Sequence, residues 1–226
     1  MTRTRPFPRF LARGSGPPVI CALFLFSARA DIIDRIAVSV GNRVITASEI
    51  ERQIRVSAFL NGTSLDLSPA ARRATAEKLV EQRLIQRELD TSRYPLPDAG
   101  EIDPILDVFK SRQFPNGEDY RHALADYGIT EQDVKDQLLW ARRLMRFIGI
   151  RFRPAIRVSA QDVQKYFAGT VAPAARAANP TEPLLDDYYS QIEEKLTGER
   201  ADEEMNLWLA ESRRRTEIIY HDEVFR

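Results

Sequence analysis

Apart from its first thirty residues, the chain carries β-forming sequence in only two places, and they lie at opposite ends. Asp34 to Thr46 (DRIAVSVGNRVIT) and Thr216 to Phe225 (TEIIYHDEVF) are β-branched and aromatic. An isolated hairpin or a single strand is not stable in water, so each segment needs a pairing partner. The only partner either has is the other. This requires the C-terminus to return to the N-terminal hairpin, with everything between them built around that closure. In the first segment Ile36, Val38 and Val40 alternate on one side, Gly41-Asn42 is a two-residue turn, and Val44 and Ile45 resume beyond it.

Between the two ends the period is helical. Thr46-Ala47-Ser48-Glu49 reads as a capping box opening a helix, with Ile50, Ile54 and Ala58 on one stripe and Asn61-Gly62 as its stop. Ser68-Pro69 opens a second helix running to about Asp90, with Leu79, Val80, Leu84, Ile85 and Leu89 inward. Thr91 to Pro97 is a proline-containing turn. A third helix starts either at Asp98 with Glu101 or at Asp103 with Pro104, and Ile102, Ile105, Leu106 and Phe109 give it an apolar face. Glu118 to Tyr127 is a short helix stopped by Gly128. Thr130 with Asp133 caps a longer one, whose stripe is Val134, Leu138, Ala141, Met145 and Ile148. Ser159 with Asp162 caps a short helix, Gln161 to Phe167. Gly169 to Pro183 is Ala/Pro-rich without apolar period and reads as a linker or exposed loop. Helical pattern returns from Leu184 to about Arg215, with Gly198 as a possible break. The expected fold class is therefore mostly α with a small β element.

The N-terminus has a different character. Arg3, Arg5, Arg9 and Arg13 precede an eight-residue apolar run, Val19 to Phe26, and Ser27-Ala28-Arg29-Ala30 follows. A basic n-region, a short h-region and an A-x-A site make a secretory signal peptide, cleaved after Ala30 with Ala28 and Ala30 as the small residues at the site. The run is far short of the roughly 20 residues that cross a bilayer. Cys21, the chain's single cysteine, falls inside it. Over 226 residues the charges balance at 33 basic and 33 acidic, but residues 1–30 hold five arginines and no acid. The expected mature chain of 196 residues has 28 basic and 33 acidic residues and no cysteine. Its stability must come from a packed core rather than disulfides. Its acidic balance speaks against a nucleic-acid partner.

No assembled catalytic set is visible. A phosphate loop, a G-x-S-x-G elbow and an H-E-x-x-H motif are all missing from the sequence. His122 reads as an ordinary helical histidine. His221-Asp222-Glu223 imitates a metal or acid–base cluster, but neighbouring strand residues face opposite ways and cannot converge unaided. The acidic pairs Asp186-Asp187, Glu193-Glu194 and Asp202-Glu203-Glu204 read as a solvated helix face with i, i+4 pairs, and Arg213-Arg214-Arg215 as a complement to that helix's dipole. The aromatic side chains Phe109, Phe114, Tyr120, Tyr127, Phe147, Phe152 and Trp208 have two readings. They fill the core, as large apolar residues mostly do, or a few line a groove for extended polypeptide.

In order, these segments resemble the N-terminal chaperone module of the SurA-type periplasmic chaperones. Ile33 to Arg52 is similar to the family's opening hairpin and first helix, and Glu77 to Leu89 to its second. Phe114 to Phe147 resembles the helix–Gly–helix segment. Ile156 to Phe167 resembles the lead into a parvulin-type isomerase domain, and Trp208 to Tyr220 the closing helix and strand. Where that isomerase domain would stand, the chain has only Gly169 to Pro183, too short for any domain. The resemblance therefore implies four parts: leader 1–30, helical chaperone module 31–168, linker 169–183, and a returning helix and strand 184–226. It implies a periplasmic, ATP-independent chaperone without isomerase activity or cofactor and without a membrane anchor once the leader is gone. Its partners would be unfolded or extended polypeptides, outer-membrane proteins among them. The candidate client-contacting residues are Phe109, Phe114, Tyr120, Tyr127 and Met145. Two rivals stand beside this reading: a dedicated structural or assembly subunit of an envelope complex, and a residual prolyl isomerase.

Overall fold

The expected closure of the two ends forms. In the computed structural model, which describes residues 34–114, 116–178 and 182–226, β1 (Ile36–Val40) pairs antiparallel with both β2 (Arg43–Thr46) and β3 (Ile218–Tyr220), giving the sheet order β2-β1-β3. The leader read over residues 1–30, with Ala28, Ala30 and Cys21, lies outside the described residues. Gly41 carries the hairpin turn at φ 57°, and its N–H donates to the Glu217 carbonyl at 2.8 Å, so the turn itself is tied to the C-terminal segment. Val38 stands opposite Ile45 on one side and Tyr220 on the other. Val38 and Ile45 are fully buried.

Two details of the β segments differ from the sequence reading. The register slips between Ile36 and Val38, so Ala37 and Val38 are both buried while Ile36 turns out to solvent. A bulge of this kind breaks strict alternation. The C-terminal strand is also shorter than Thr216 to Phe225. After Tyr220 the chain turns into a single 3-10 turn, Asp222–Phe225, which buries Val224 and Phe225.

Among the described residues eight α-helices lie between the hairpin and β3: α1 (Ala47–Asn61), α2 (Pro69–Thr91), α3 (Asp103–Gln113), α4 (Gly117–Tyr127), α5 (Glu131–Arg151), α6 (Ala160–Tyr166), α7 (Ala172–Ala178) and α8 (Leu185–Arg214). Their starts follow local chemistry. Ser68 caps α2, and the Thr130/Asp133 and Ser159/Asp162 pairs form reciprocal capping boxes. Both alternatives for the third helix are used: Asp98 caps a 3-10 turn, Ala99–Glu101, and Asp103-Pro104 opens α3 directly after it. At α1 only half of the expected box forms. Thr46 Oγ1 accepts from the Glu49 N–H at 3.3 Å, but the Glu49 carboxylate is taken by Arg83 of α2.

The segment read as a linker is helical through Ala178. A wide π turn, Phe167–Val171, joins α6 to α7. The physical reasons are local. Alanine is the strongest helix former. Pro173 follows closely on the π turn. Gly198 likewise does not break α8, which runs 30 residues without interruption.

The apolar side chains form two clusters. One lies under the sheet, between β1, β2, α1, α2, α5 and α8, and includes Val38, Ile45, Ile50, Leu84, Phe147 and Leu209. The second gathers Val56, Phe59, Leu106, Tyr120, Leu124, Ile129 and Val134 from α1, α3, α4 and α5. Helices α1 and α5 contribute to both, so they carry the mechanical connection between the two. In α5 the inward face turns along its length: Val134 faces the second cluster and Phe147 the first. Ala141 and Met145, expected on the buried stripe, are exposed.

Candidate functional site

Four of the five side chains expected to contact a client are held together by packing. Phe59 is the hub, with ring centroids of Phe109, Phe114, Tyr120 and Tyr127 at 5.8, 5.7, 6.0 and 5.7 Å. Phe114 stacks on it nearly parallel, at 6°, and Tyr120 and Tyr127 meet it edge-on, arrangements favoured by the ring quadrupoles. Tyr120 is buried, and its pKa is pushed up to about 12, by burial first and then by the neighbouring Glu131 carboxylate. The Tyr127 hydroxyl donates to the Thr63 carbonyl at 2.8 Å. Phe59 and Tyr120 belong to the second core cluster, and Phe109, Phe114 and Tyr127 are half-buried against it. Phe147, Phe152 and Trp208 are likewise packed on one another in the first, with centroids 5.5 to 6.3 Å apart.

The fifth residue, Met145, stands apart from them and is 67% exposed. It lines an open cleft of about 590 Å³ between the Pro95–Pro97 segment and the outer face of α5. Two adjacent helical rows build the floor. Arg142, Arg146 and Ile150 succeed each other at i, i+4 and i+8, and Met145 and Gly149 lie beside them one turn apart. Leu96 and the two prolines form the facing wall, and Arg153 closes one end. At Gly149 no heavy atom beyond its chain neighbours and its own helix backbone lies within 4 Å of where a Cβ would stand, so the missing side chain leaves open space in the floor.

Arginines hold this wall in place. Arg146 Nε donates to the Pro95 carbonyl at 3.3 Å, and Arg143 Nε to the Pro97 carbonyl at the same distance. Proline lacks an N–H but keeps a good carbonyl acceptor, so these carbonyls are natural latching points. Arg142 approaches Glu101, the one acid lining the cleft, at 3.7 Å, with both side chains half exposed. Arg153 bonds Glu194 of α8, which holds the arginine's pKa above its ordinary value and the glutamate's below. Among the described residues Arg146 has no carboxylate partner; only its Nε is engaged.

The sequence carried a signal for this cleft. Between Asp136 and Asp162 there is no acidic residue, while six arginines occur: Arg142, Arg143, Arg146, Arg151, Arg153 and Arg157. In a chain of balanced charge that is a local basic field. Three of the six, Arg142, Arg146 and Arg153, come to line the cleft when α5 and the Pro95–Pro97 segment meet, while Arg151 turns to Glu88 and Arg157 to the Pro154 carbonyl.

The other candidates do not assemble. His122 is exposed on α4. His221 lies 3.4 Å from Ser39 Oγ and 4.0 Å from Glu223, while Asp222 turns away to Arg73 at 2.7 Å. Among the described residues no three His, Cys, Asp or Glu side chains are grouped so as to hold a metal, and no helix is long and apolar enough to cross a membrane. The acids of α8 are partly in local pairs, such as Lys195–Glu199 at 2.6 Å, and partly in tertiary ones, such as Glu194 with Arg153 at 2.5 Å. Neither the models of known protein families nor the curated proteins contain a match to this sequence.

Proposed function

We propose that this chain is an exported, ATP-independent, chaperone-like protein that binds extended stretches of unfolded polypeptide, envelope and outer-membrane proteins among them. The cleft between Pro95–Pro97 and α5 is its seat. The observation that supports the reading is that cleft. It is long enough along α5 to take several residues of an extended chain, it is open to solvent, and it sets Leu96, Met145 and Ile150 among guanidinium groups. Methionine suits a promiscuous surface because its unbranched thioether adapts to differently shaped partners. Binding would be reversible burial of client side chains, with affinity set mainly by off-rate. Export follows from the leader over residues 1–30, and N-terminal sequencing of the recovered protein should begin at Asp31.

The direct test dilutes a denatured outer-membrane protein into buffer with and without the purified protein and follows light scattering. The proposal requires slower aggregation at near-stoichiometric amounts, together with measurable binding of client peptides. Unchanged aggregation and no peptide binding would sink it.

A second reading, a dedicated subunit of one envelope complex, has its own supporting observation. On the outer face of the sheet Val44 and Ile219 flank Ser39 and are 44% and 46% exposed, with Ile36 at 45%. Affinity capture from envelope extracts distinguishes the two. One stoichiometric partner favours the subunit, and many substoichiometric clients favour the chaperone.

A further inference from the structure

The composition of the cleft narrows what it binds. We infer that it selects polypeptide segments in which carboxylates alternate with apolar side chains, each carboxylate meeting Arg142 or Arg146 and the neighbouring apolar side chain seating over Gly149 between Met145 and Ile150. This rests on the function proposed above and names its substrate class.

The argument starts from charge. Three arginines line the cleft against one glutamate, and although Arg153 is already paired with Glu194 of α8, Arg146 has no carboxylate partner among the described residues and Arg142 only a distant one; no acid lies in the surrounding stretch from Gln137 to Gln161. An occupant carrying lysine would bring like charge into this field, and one carrying aspartate or glutamate would bring opposite charge. Geometry sharpens the choice. The Nε of Arg146 is fixed on the Pro95 carbonyl, so the guanidinium is held in position before any ligand arrives. Its terminal nitrogens have no carboxylate among the described residues, and a guanidinium fork is matched to two carboxylate oxygens. Arg142 is only loosely engaged by Glu101 at 3.7 Å, a contact that an incoming carboxylate can replace.

The apolar part of the recognition depends on Gly149. Glycine inside a helix is unfavourable relative to alanine. At this position it leaves a gap in the floor, bordered by Met145 one turn before it and by Ile150, and faced by Leu96. A side chain from the occupant fills that gap, and the two features together specify an apolar residue next to an acidic one.

The experiment is a fluorescence anisotropy titration of the full exported protein with two labelled, unstructured peptides. They have equal length and equal apolar content, and one carries glutamate where the other carries lysine. The acidic peptide is expected to bind at least tenfold more tightly at low salt, with the difference shrinking as salt is raised. The double substitution Arg142→Glu with Arg146→Glu should abolish the preference. Gly149→Leu should weaken the acidic peptide at least fivefold while thermal unfolding shows the fold retained or strengthened, which separates a filled cleft from a damaged fold. Equal affinity for the two peptides, or a preference that survives charge reversal, would overturn the inference. So would tighter binding to phosphatidylglycerol vesicles than to the acidic peptide, lost in the same double variant, which would make the cleft a membrane-surface site. If aggregation of an unfolded protein is still suppressed while neither peptide binds, this inference fails and the proposed function survives. If suppression fails as well, both fall.

Discussion

Arg213 at the end of α8 forks onto Glu77 of α2, its Nη1 at 2.9 Å from the carboxylate and its Nη2 donating to the Glu77 carbonyl at 3.3 Å. Nη2 also reaches Glu81 at 3.3 Å. This contact fixes the last helix against the second one and so sets up the approach of β3 to β1. Two charges and a backbone carbonyl share one guanidinium, a stronger arrangement than a lone surface pair.

The first prediction follows from that fork. Burial acts to raise the pKa of Glu77, but the nearby Tyr220 hydroxyl and the hydrogen bonds and charges of Arg213 and Arg73 outweigh it and hold the pKa below the ordinary 4.5. A carboxylate with a depressed folded-state pKa contributes stability that is full above its unfolded value and lost as pH falls through the folded one. Arg213→Ala should therefore cost about 1 kcal/mol at neutral pH, a figure discounted because both side chains are about a third exposed. It should also flatten the acid limb of the stability curve. Urea unfolding of both proteins from neutral to acid pH measures each effect. A constant difference down to pH values well below 4.5 would remove Glu77 from the account.

At alkaline pH the controlling groups are two tyrosines, one in each core cluster. The pKa of Tyr220 is pushed up to about 12 by burial and then by Glu77, and that of Tyr120 to about 12 by burial and then by Glu131. A raised folded-state pKa gives stability that is complete below the unfolded value of 10.0 and lost as pH rises toward 12. Phenolate absorbance should show two of the seven tyrosines ionising late, with unfolding setting in over the same interval. Replacing both with phenylalanine should remove the late phase. The fold should be retained, with a modest cost at Tyr220, whose hydroxyl faces the Glu77 carboxylate.

What was legible in the sequence was local. Gly41-Asn42, Gly62, Gly128 and the caps at Ser68, Thr130 and Ser159 act through their own backbones or through residues three positions away, and all lie where the sequence places them. The pairing of the two ends was legible too, because no other β segment existed to receive either. What depended on distant contacts was not. Glu49 left its cap for Arg83 on another helix. Ile36 turned outward at a bulge that has no local signature. The aromatic residues offered as a client groove gather around Phe59, an unremarked member of the first helix, with Tyr120 buried and Phe109, Phe114 and Tyr127 half-buried. The cleft is invisible until α5 meets Pro95–Pro97, although the acid-free run of arginines marked one of its walls.

Two glycines make a paired test of the backbone argument. Gly128 ends α4 at φ 64°, where a Cβ would also lie 3.4 Å from Arg55 Nη1, the group that bonds the Tyr127 carbonyl at 3.1 Å. Gly198 sits inside α8 with open space where a Cβ would stand. Gly128→Ala should destabilise by about 1–2 kcal/mol, since an L-residue resists the left-handed region. Gly198→Ala should stabilise by up to about 1 kcal/mol through helix propensity. Opposite shifts in the urea midpoint are the expected result, and shifts of the same sign would contradict the assigned conformations.

Phe59 offers the sharpest test of the two-cluster core. It is 3% exposed, contacts four other rings, and lies on α1 beyond Ile50 and Ile54, which belong to the other cluster. Truncation to alanine removes the hub and leaves a cavity that its aromatic neighbours can only partly fill, at a cost of about 3–5 kcal/mol. The loss should be uneven. α3 and α4 reach the rest of the fold largely through this cluster, whereas β1 and α2 pack on Phe147, Leu84 and Val38. Native-state hydrogen exchange of Phe59→Ala should show amides of α3 and α4 opening at much lower free energy than those of β1 and α2, as a sub-global unit does. Acceleration spread evenly over all helices would mean that the two clusters unfold as one.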